Sequence, residues 1–466
     1  MPVSHEAGWA HADGALRGPS WLRPPSDVNA LVPLLWSSTA RKNADGALEV
    51  GGVDLRDLVA EHGSPAYVLD EADFRARARA FREAFADYDV YYAGKAFLCT
   101  TVARWVAEEG LSLDVCSAGE LTVALRAGVD PARIGYHGNN KTVPELRRAV
   151  EAGVGRIVLD SFLEIDRLAA ITAETRRTAP VMVRVTAGVE AHTHEYIATA
   201  HEDQKFGFSI SSGDAFEAVR RVQQAPGLDL RGLHSHIGSQ IFDTSGFEVA
   251  ARRVLTLHAR VSDELGVTMP EMDLGGGFGI AYTTQDDPSD PAQLATELTK
   301  IVEHECRAFD VPVPQLSIEP GRAIVGPAMC TVYEVGTVKQ VELDAGAVRT
   351  YVSVDGGMSD NIRTALYDAD YSCTLASRSS GAEPVLGRVV GKHCEAGDIV
   401  VKDEFVPADI APGDLLAVPG TGAYCRSMAS NYNHALRPPV VAVRDGVTTV
   451  LLRRETEDDL LATDLG

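Results

Sequence analysis

From residue 67 onward, short apolar runs alternate with longer stretches in which apolar residues return every three or four positions. The short runs fall at 67–70, 90–93, 113–116, 134–136, 156–159, 181–185, 232–236, 271–274 and 315–319. Helical spacing fills 71–86, about 98–109, 117–127 and 143–152 between them. Such alternation predicts right-handed βαβ units on a parallel sheet, and eight or nine of them over residues 67–325 fit a (β/α)8 TIM-type barrel. Beyond it the texture changes. Runs at 325–333, 336–341, 350–354, 387–390, 415–418, 440–444 and 448–452 are β-rich and punctuated by Gly, Asp and Pro. That predicts a C-terminal all-β domain of sandwich or barrel-like form over 326–466. The fold class is therefore α/β plus all-β. Residues 1–45, rich in Gly, Pro, Ser and Ala, lack a sustained period and predict an irregular arm, partly ordered at most. Residues 46–66 are expected to join the β-domain.

Composition narrows the partners. The 466 residues exceed what one hydrophobic core supports, in keeping with two domains. Lys and Arg number 43 against 66 Asp and Glu, a net charge of -23. That sign repels nucleic acid and anionic lipid, so neither is an expected partner. The seven cysteines, at 99, 116, 306, 330, 373, 394 and 425, form no CxxC pair and no His-containing metal spacing. This argues against a disulfide framework and a structural zinc site, and fits a reducing cytoplasm. No basic stretch leading into an apolar one marks a secretory signal, and no apolar run reaches the ~20 residues that span a bilayer.

Barrel enzymes carry their chemistry at the C-terminal ends of the strands. Lys95, in Tyr91-Tyr92-Ala93-Gly94-Lys95-Ala96, follows such an end in an apolar setting. Burial there would disfavour its charge and free the amine for a Schiff base, although a lone lysine more often reaches solvent. His234 and His236 share one strand face and can both point into the mouth. One imidazole can stack on a flat ring; the competing readings are a metal-binding pair or satisfied core histidines. Asp273-Leu274-Gly275-Gly276-Gly277-Phe278-Gly279 is a glycine-rich turn able to wrap N–H groups around a phosphate, and it lacks the dinucleotide G-x-G-x-x-G spacing. Ser317-Ile318-Glu319-Pro320-Gly321-Arg322 adds an acid for a ring nitrogen and a cation for an anion; the bland reading is a surface ion pair. An amine, a stacking imidazole, a phosphate nest and an acid at successive strand ends are the functions that pyridoxal phosphate needs.

These stretches resemble those of the fold-type III pyridoxal-phosphate decarboxylases, an alanine-racemase-like barrel with a β-domain, over roughly residues 48–455. The matching segments are Tyr92–Ala96, His201-Glu202-Asp203-Gln204-Lys205-Phe206-Gly207, His234–Gln240, Gly275–Gly279 and Glu319–Arg322 in the barrel. In the β-domain they are Asp360–Tyr367, Cys394-Glu395 and Gly422-Ala423-Tyr424. Within the group the chain is similar to members that convert meso-2,6-diaminopimelate to L-lysine and CO2, the last step of lysine biosynthesis. The resemblance implies that Lys95 carries the cofactor, His236 stacks on its ring and Glu319 pairs with its ring nitrogen. Asp114 lies near Lys95, while Ser239, Gly276, Gly277, Gly321, Arg322 and Tyr424 are further cofactor contacts. Arg322, Arg363, Tyr367 and Tyr424 contact the substrate, the first three at its non-reacting carboxylate, and Glu395 takes its distal ammonium. Cys394 is the implied proton donor, as a thiol near its ordinary pKa of ~8.5 stays protonated at neutral pH. The other cysteines at 99, 116, 306, 330 and 373 read as small buried hydrophobes. A homodimer with shared sites is implied, Cys394 and Glu395 entering the neighbouring barrel. Thr364 departs from the proline usual after the substrate arginine.

Three rivals stand beside this reading. Ornithine, arginine or carboxynorspermidine decarboxylation is one, and Arg363 disfavours it, because a cation suits a second carboxylate and repels an amine. A non-catalytic barrel that only binds the cofactor would lack the Cys-Glu pair. A metal-dependent hydrolase would rest on His234 and His236, and no carboxylate stands at ligand spacing in sequence.

Overall fold

The computed structural model describes residues 18–188, 205–343 and 348–466. Residues 1–17 of the expected arm and His201–Gln204 of the matching barrel segment lie outside these. The chain forms two compact units, one from Arg75–Gly279 and Pro288–Ala323, the other from residues up to Phe74, Ile280–Asp287 and Ile324–Gly466.

In the first unit, eight parallel strands pair in chain order: Tyr88–Ala93, Ser112–Val115, Ile134–Tyr136, Arg156–Leu159, Ala179–Thr186, Leu228–His234, Glu271–Asp273 and Gln315–Ile318. The ring closes where Leu316, Ser317 and Ile318 lie beside Tyr88, Asp89 and Val90. Helices Thr100–Glu108, Ala118–Ala127, Val143–Ala152, Phe162–Thr175, Asp214–Gln224, Ser245–Leu265 and Pro291–Ala308 come after the first seven strands. Local sequence sets their ends. Ser117 accepts from the Glu120 N–H, Thr142 and Glu145 cap each other, and Gly128 and Gly153 close their helices in the left-handed region. Each strand thus delivers its C-terminal end and the loop after it to one face of the barrel.

Nine strand-like runs precede residue 320, and only eight enter the barrel. Strand Ala66–Asp70 lies instead in the second unit, antiparallel to Met329–Glu342 and parallel to Val440–Arg444. Every residue in it is buried. A strand covered on both faces reads as a plain apolar run, so its pattern cannot tell which sheet it joins.

The second unit is sheet-rich. Its main sheet runs Ile399–Pro407, Pro384–Val390, Val348–Val354, Met329–Glu342, Ala66–Asp70, Val440–Arg444, Val447–Leu452, and Leu415–Val418 also pairs with Met329–Glu342. The two runs expected at 325–333 and 336–341 are one long strand, with a register shift between Val335 and Val338 around Gly336. Strand Ile399–Pro407 escaped the pattern because Lys402, Asp403 and Glu404 interrupt its apolar residues. The arm is better anchored than its composition suggests: Leu35 and Trp36 are buried with Leu48, Val68, Val332 and Val441 in the core of this unit. Among the described residues no helix is long and apolar enough to cross a membrane.

Barrel packing yields a test at Gly232. A Cβ there would lie 1.8 Å from the Glu271 carbonyl oxygen of the adjacent strand. Gly232→Ala should cost about 1–3 kcal/mol by forcing the strands apart. A melting temperature equal to that of the parent protein would contradict this close approach.

Candidate active site

A cavity of about 260 Å³ opens at the C-terminal ends of the barrel strands, with Lys95, Asp114, His137, Arg184, His236 and Glu319 in its wall. Strand closure assembles it. Gly321, just after the last strand, packs on Ala93 and Ala96 around the end of the first, where a Cβ would come within 2.9 Å of Ala93. Lys95 and Glu319, far apart in sequence, therefore share one wall. The burial expected of Lys95 is not found: buried Gly94 and Ala96 flank it, but Lys95 itself is exposed where it lines the cavity.

The site rests on a buried polar layer. His234 Nε2 lies 3.0 Å from Glu319 Oε1, and His137 Nε2 lies 3.0 Å from Asp114 Oδ1 and 3.4 Å from Glu319 Oε1. Gly135 makes room for this, because a Cβ there would sit 2.5 Å from Asp114 Oδ1. Beneath them Arg156 hydrogen-bonds Asp273, donates to Ser317 Oγ at 2.9 Å, and stacks on Tyr91 with Cζ 3.7 Å from the ring centre. Its Nη2 is 3.8 Å from Glu319 and 4.0 Å from Asp114.

Charge divides unequally between the two acids. Burial pushes Glu319 up, but His137, His234 and Arg156 outweigh it and hold the carboxyl well below its usual range. Burial and the neighbouring Glu319 charge push Asp114 well above its own. Of the two acids, the environment therefore favours the charge on Glu319 and the proton on Asp114. Burial also lowers His137, to about 4, and lowers His236, which the positive charges of Lys95 and Arg184 depress further. Both imidazoles are neutral at pH 7.

The glycine-rich segment is built as the sequence suggests. Asp273 accepts from Gly275 N–H at 2.6 Å and Ser317 Oγ at 2.6 Å. Gly275 and Gly277 have φ of 72° and 108°, which side chains rarely adopt. Gly276 N–H donates to His236 Nδ1 at 3.2 Å and orients that ring. A Cβ on Gly277 would lie 2.4 Å from the Gly238 carbonyl, so the loop beside Ser239 and the glycine loop touch through bare backbone. Arg322 Nη2 donates to Ser239 Oγ at 2.9 Å, so Arg322 is not simply the surface partner of Glu319. Ser239 and Arg322 are thus paired beside the point where the glycine loop meets Gly238.

The remaining expected residues, Arg363, Tyr367, Cys394, Glu395 and Tyr424, belong to the second unit. Arg363 begins the short helix Arg363–Tyr367 and is buried. Its guanidinium lies 4.4 Å from the Tyr282 ring centre and 5.5 Å from that of Tyr371, whose hydroxyl accepts from Nη1 at 2.5 Å. Its Nε has no hydrogen-bond partner among the described residues. Thr364, in the place of a proline, is buried and donates to the Val400 carbonyl at 3.1 Å. Cys394 and Glu395 are exposed on a turn, and Tyr367 and Tyr424 are half-buried.

Several wall residues went unnoticed in the sequence: His137, Asn139 and Arg184; Phe206, in a matching segment, also lines the wall. Arg184 carried a signal, as a charge inside the apolar strand Ala179–Thr186; here it stacks on Phe206 at 4.3 Å and lies 3.9 Å from Asp160. Cys116 was expected to be buried but is exposed and lines the cavity, because it comes just after a strand end at the open face; Cys373 is half-buried. The ligand-capable cluster that forms is His137, His234 and Glu319, with atoms within 4.8 Å of one another, rather than His234 with His236. The adjacent Arg156 charge opposes a dication there.

The pyridoxal binding domain of the pyridoxal-dependent decarboxylases matches residues 71–326. Diaminopimelate decarboxylase of Mycobacterium leprae is 54% identical over 471 residues, covering 99% of both chains. That of Mycobacterium tuberculosis (strain H37Rv) is 56% identical over 440 residues, covering 93% of this chain and 98% of its own. The crystal structure of diaminopimelate decarboxylase from M. jannaschii in complex with L-lysine superposes with a TM-score of 0.86 at 29% identity, covering 92% of this chain and 98% of that one. With a closed barrel, a lysine and a buried anionic glutamate on one cavity wall, and full-length kinship of this order, the chain belongs to the diaminopimelate decarboxylase family of pyridoxal-dependent decarboxylases.

Proposed function

We propose that this chain decarboxylates meso-2,6-diaminopimelate to L-lysine and CO2, using pyridoxal phosphate held in the barrel cavity. The observation that carries the assignment is Lys95 at the mouth of a cavity that also holds ionised Glu319. The residues present fit the cofactor: an amine for its aldehyde, an anion for its ring nitrogen, a neutral imidazole for its face, and bare glycine backbone where a phosphate needs close approach. When bound, pyridoxal phosphate supplies an electron sink for the pair left behind as CO2 departs.

Each role rests on local chemistry. Lys95 Nζ is the amine that would hold the cofactor's aldehyde. Glu319 holds a proton on the ring nitrogen, and Arg156 beneath it keeps the carboxyl ionised for that task. His236, neutral and fixed by the Gly276 N–H, covers the ring without competing for Glu319. Asp114, whose carboxyl burial and Glu319 push well above its usual range, disfavours a second negative charge near Lys95. Ser239, Gly276, Gly277, Gly321, Arg322 and Tyr424 hold the phosphate.

Substrate selection falls to Arg322, Arg363, Tyr367 and Tyr424, the first three at the distal carboxylate, with Glu395 for the distal ammonium. Arg363 favours this substrate over amine-terminated ones. Its desolvated charge, with an Nε lacking a partner among the described residues, gains from an anion and is penalised by a cation. Cys394 Sγ delivers the proton that replaces CO2. The working form in this reading is a homodimer in which Cys394 and Glu395 serve the cavity of a second copy, and their place on an exposed turn supports it. All seven cysteines are free, in keeping with a cytoplasmic setting.

Purified protein should be yellow, and Lys95→Ala should abolish both the bound-cofactor absorbance and turnover; a colourless protein that cannot take up the cofactor would refute the assignment. In a CO2-release assay meso-diaminopimelate should outrun ornithine, arginine and carboxynorspermidine, and victory for any of these would reassign the substrate. Cys394→Ala should lower kcat by roughly 10²–10⁴-fold with the cofactor retained. Arg363→Met should lower kcat/KM for diaminopimelate by about 10²-fold or more while leaving absorbance intact.

A further inference from the structure

The turn that presents Cys394 and Glu395 is held from below by a residue to which the preceding roles assign nothing. Asp398 is buried, and its carboxylate accepts two backbone N–H groups from separate loops: Met358 at 2.6 Å and His393 at 2.7 Å. Both loops close on it through glycine. A Cβ on Gly391 would lie 2.2 Å from the carboxylate, and one on Gly357 would lie 2.5 Å from it. The turn itself is laced by Gly391 N–H to the Asp398 carbonyl at 2.9 Å, Asp398 N–H to the Glu395 carbonyl at 3.1 Å, and Glu395 N–H to the His393 carbonyl at 2.8 Å.

A second tie reinforces the first. His393 is buried, with Nε2 2.7 Å from Ser359 Oγ and Nδ1 3.1 Å from Asn433 Oδ1. Lys392 N–H donates to the Gly356 carbonyl at 3.0 Å. Between the two anchors only residues 394–396 are fully exposed. The loop at 356–361 in turn leads into the helix that starts at Arg363. Asp360 there accepts from Gly357 N–H at 2.8 Å, and Asn361 accepts from Arg363 N–H at 3.3 Å.

We infer that Asp398 is a positioning residue that sets Cys394 and Glu395 directly, and Arg363 through Met358, so that one buried carboxylate fixes the proton donor and the substrate-selecting cation together. Its carboxylate is spent on backbone N–H groups. A buried carboxylate is stable only while its donors are in place, and here the donors are the two loops themselves. The inference rests on the proton-donor role given to Cys394. Strand Ile399–Pro407, directly after Asp398, is held by its own pairing with Pro384–Val390, so loosening the turn need not undo the sheet.

A double-mutant cycle on the holoenzyme separates positioning from plain stability. Asp398→Asn keeps the shape but replaces one acceptor with an N–H group facing a donor. In the parent background it should lower kcat by about 10–100-fold and raise KM for meso-diaminopimelate, with cofactor absorbance unchanged. In a Cys394→Ala background the kcat effect should largely vanish, since the group being positioned is gone. An equal loss of kcat in both backgrounds would overturn the positioning role while leaving the assignment of Cys394 intact. Full turnover in Cys394→Ala alone would overturn the donor assignment and this inference with it. Should Asp398→Asn fail to fold, His393→Gln carries the same cycle, and additive losses there would likewise refute it.

Discussion

Closure of the barrel is the contact on which the site depends. When Gln315–Ile318 pairs with the first barrel strand, Pro320 and Gly321 come to rest against Ala93 and Ala96. Only small residues allow that approach. Lys95 and Glu319 then occupy one cavity wall, although nearly the whole barrel separates them along the chain. An amine and an acid at opposite ends of a sequence become neighbours because the sheet is a ring.

Closure alone would leave carboxylates in a dry interior, where burial drives them to take up protons. His137, His234 and Arg156 together prevent this for Glu319. The Arg156 guanidinium is sandwiched between Tyr91 and the acids, with Asp273 and Ser317 fixing its orientation. Asp273 has a second duty, receiving the Gly275 N–H and so shaping the glycine turn. The charge beside Glu319 and the shape of the glycine loop are thus tied to one aspartate. Removing any member would leave an uncompensated buried charge, which is costlier than never having built the network.

The second unit uses the same device for a different end. Arg363 is enclosed by Tyr282 and Tyr371, and the turn bearing Cys394 and Glu395 stands on Asp398 and His393. In both units a buried ion with backbone or aromatic partners ties neighbouring loops together. Tyr282 reaches its position through a short excursion, Ile280–Asp287, that leaves the barrel directly after the glycine turn.

Alternation of apolar runs with helical stretches determined the (β/α)8 plan, and small residues beside polar ones at strand ends marked Lys95, His236, Gly276, Gly277 and Glu319. Those features are local, and a chain carries its local preferences wherever it folds. Four outcomes needed the tertiary structure. Ala66–Asp70 joins the second sheet, since a fully covered strand has no face to betray its partners. Lys95 is exposed, because exposure depends on which end of the barrel is open. His137, Arg156 and Arg184 became functional neighbours only through cross-strand contacts. The opposite shifts of Asp114 and Glu319 come from burial, from each other and from His137, His234 and Arg156, residues that the closed ring brings together from strands far apart in the chain.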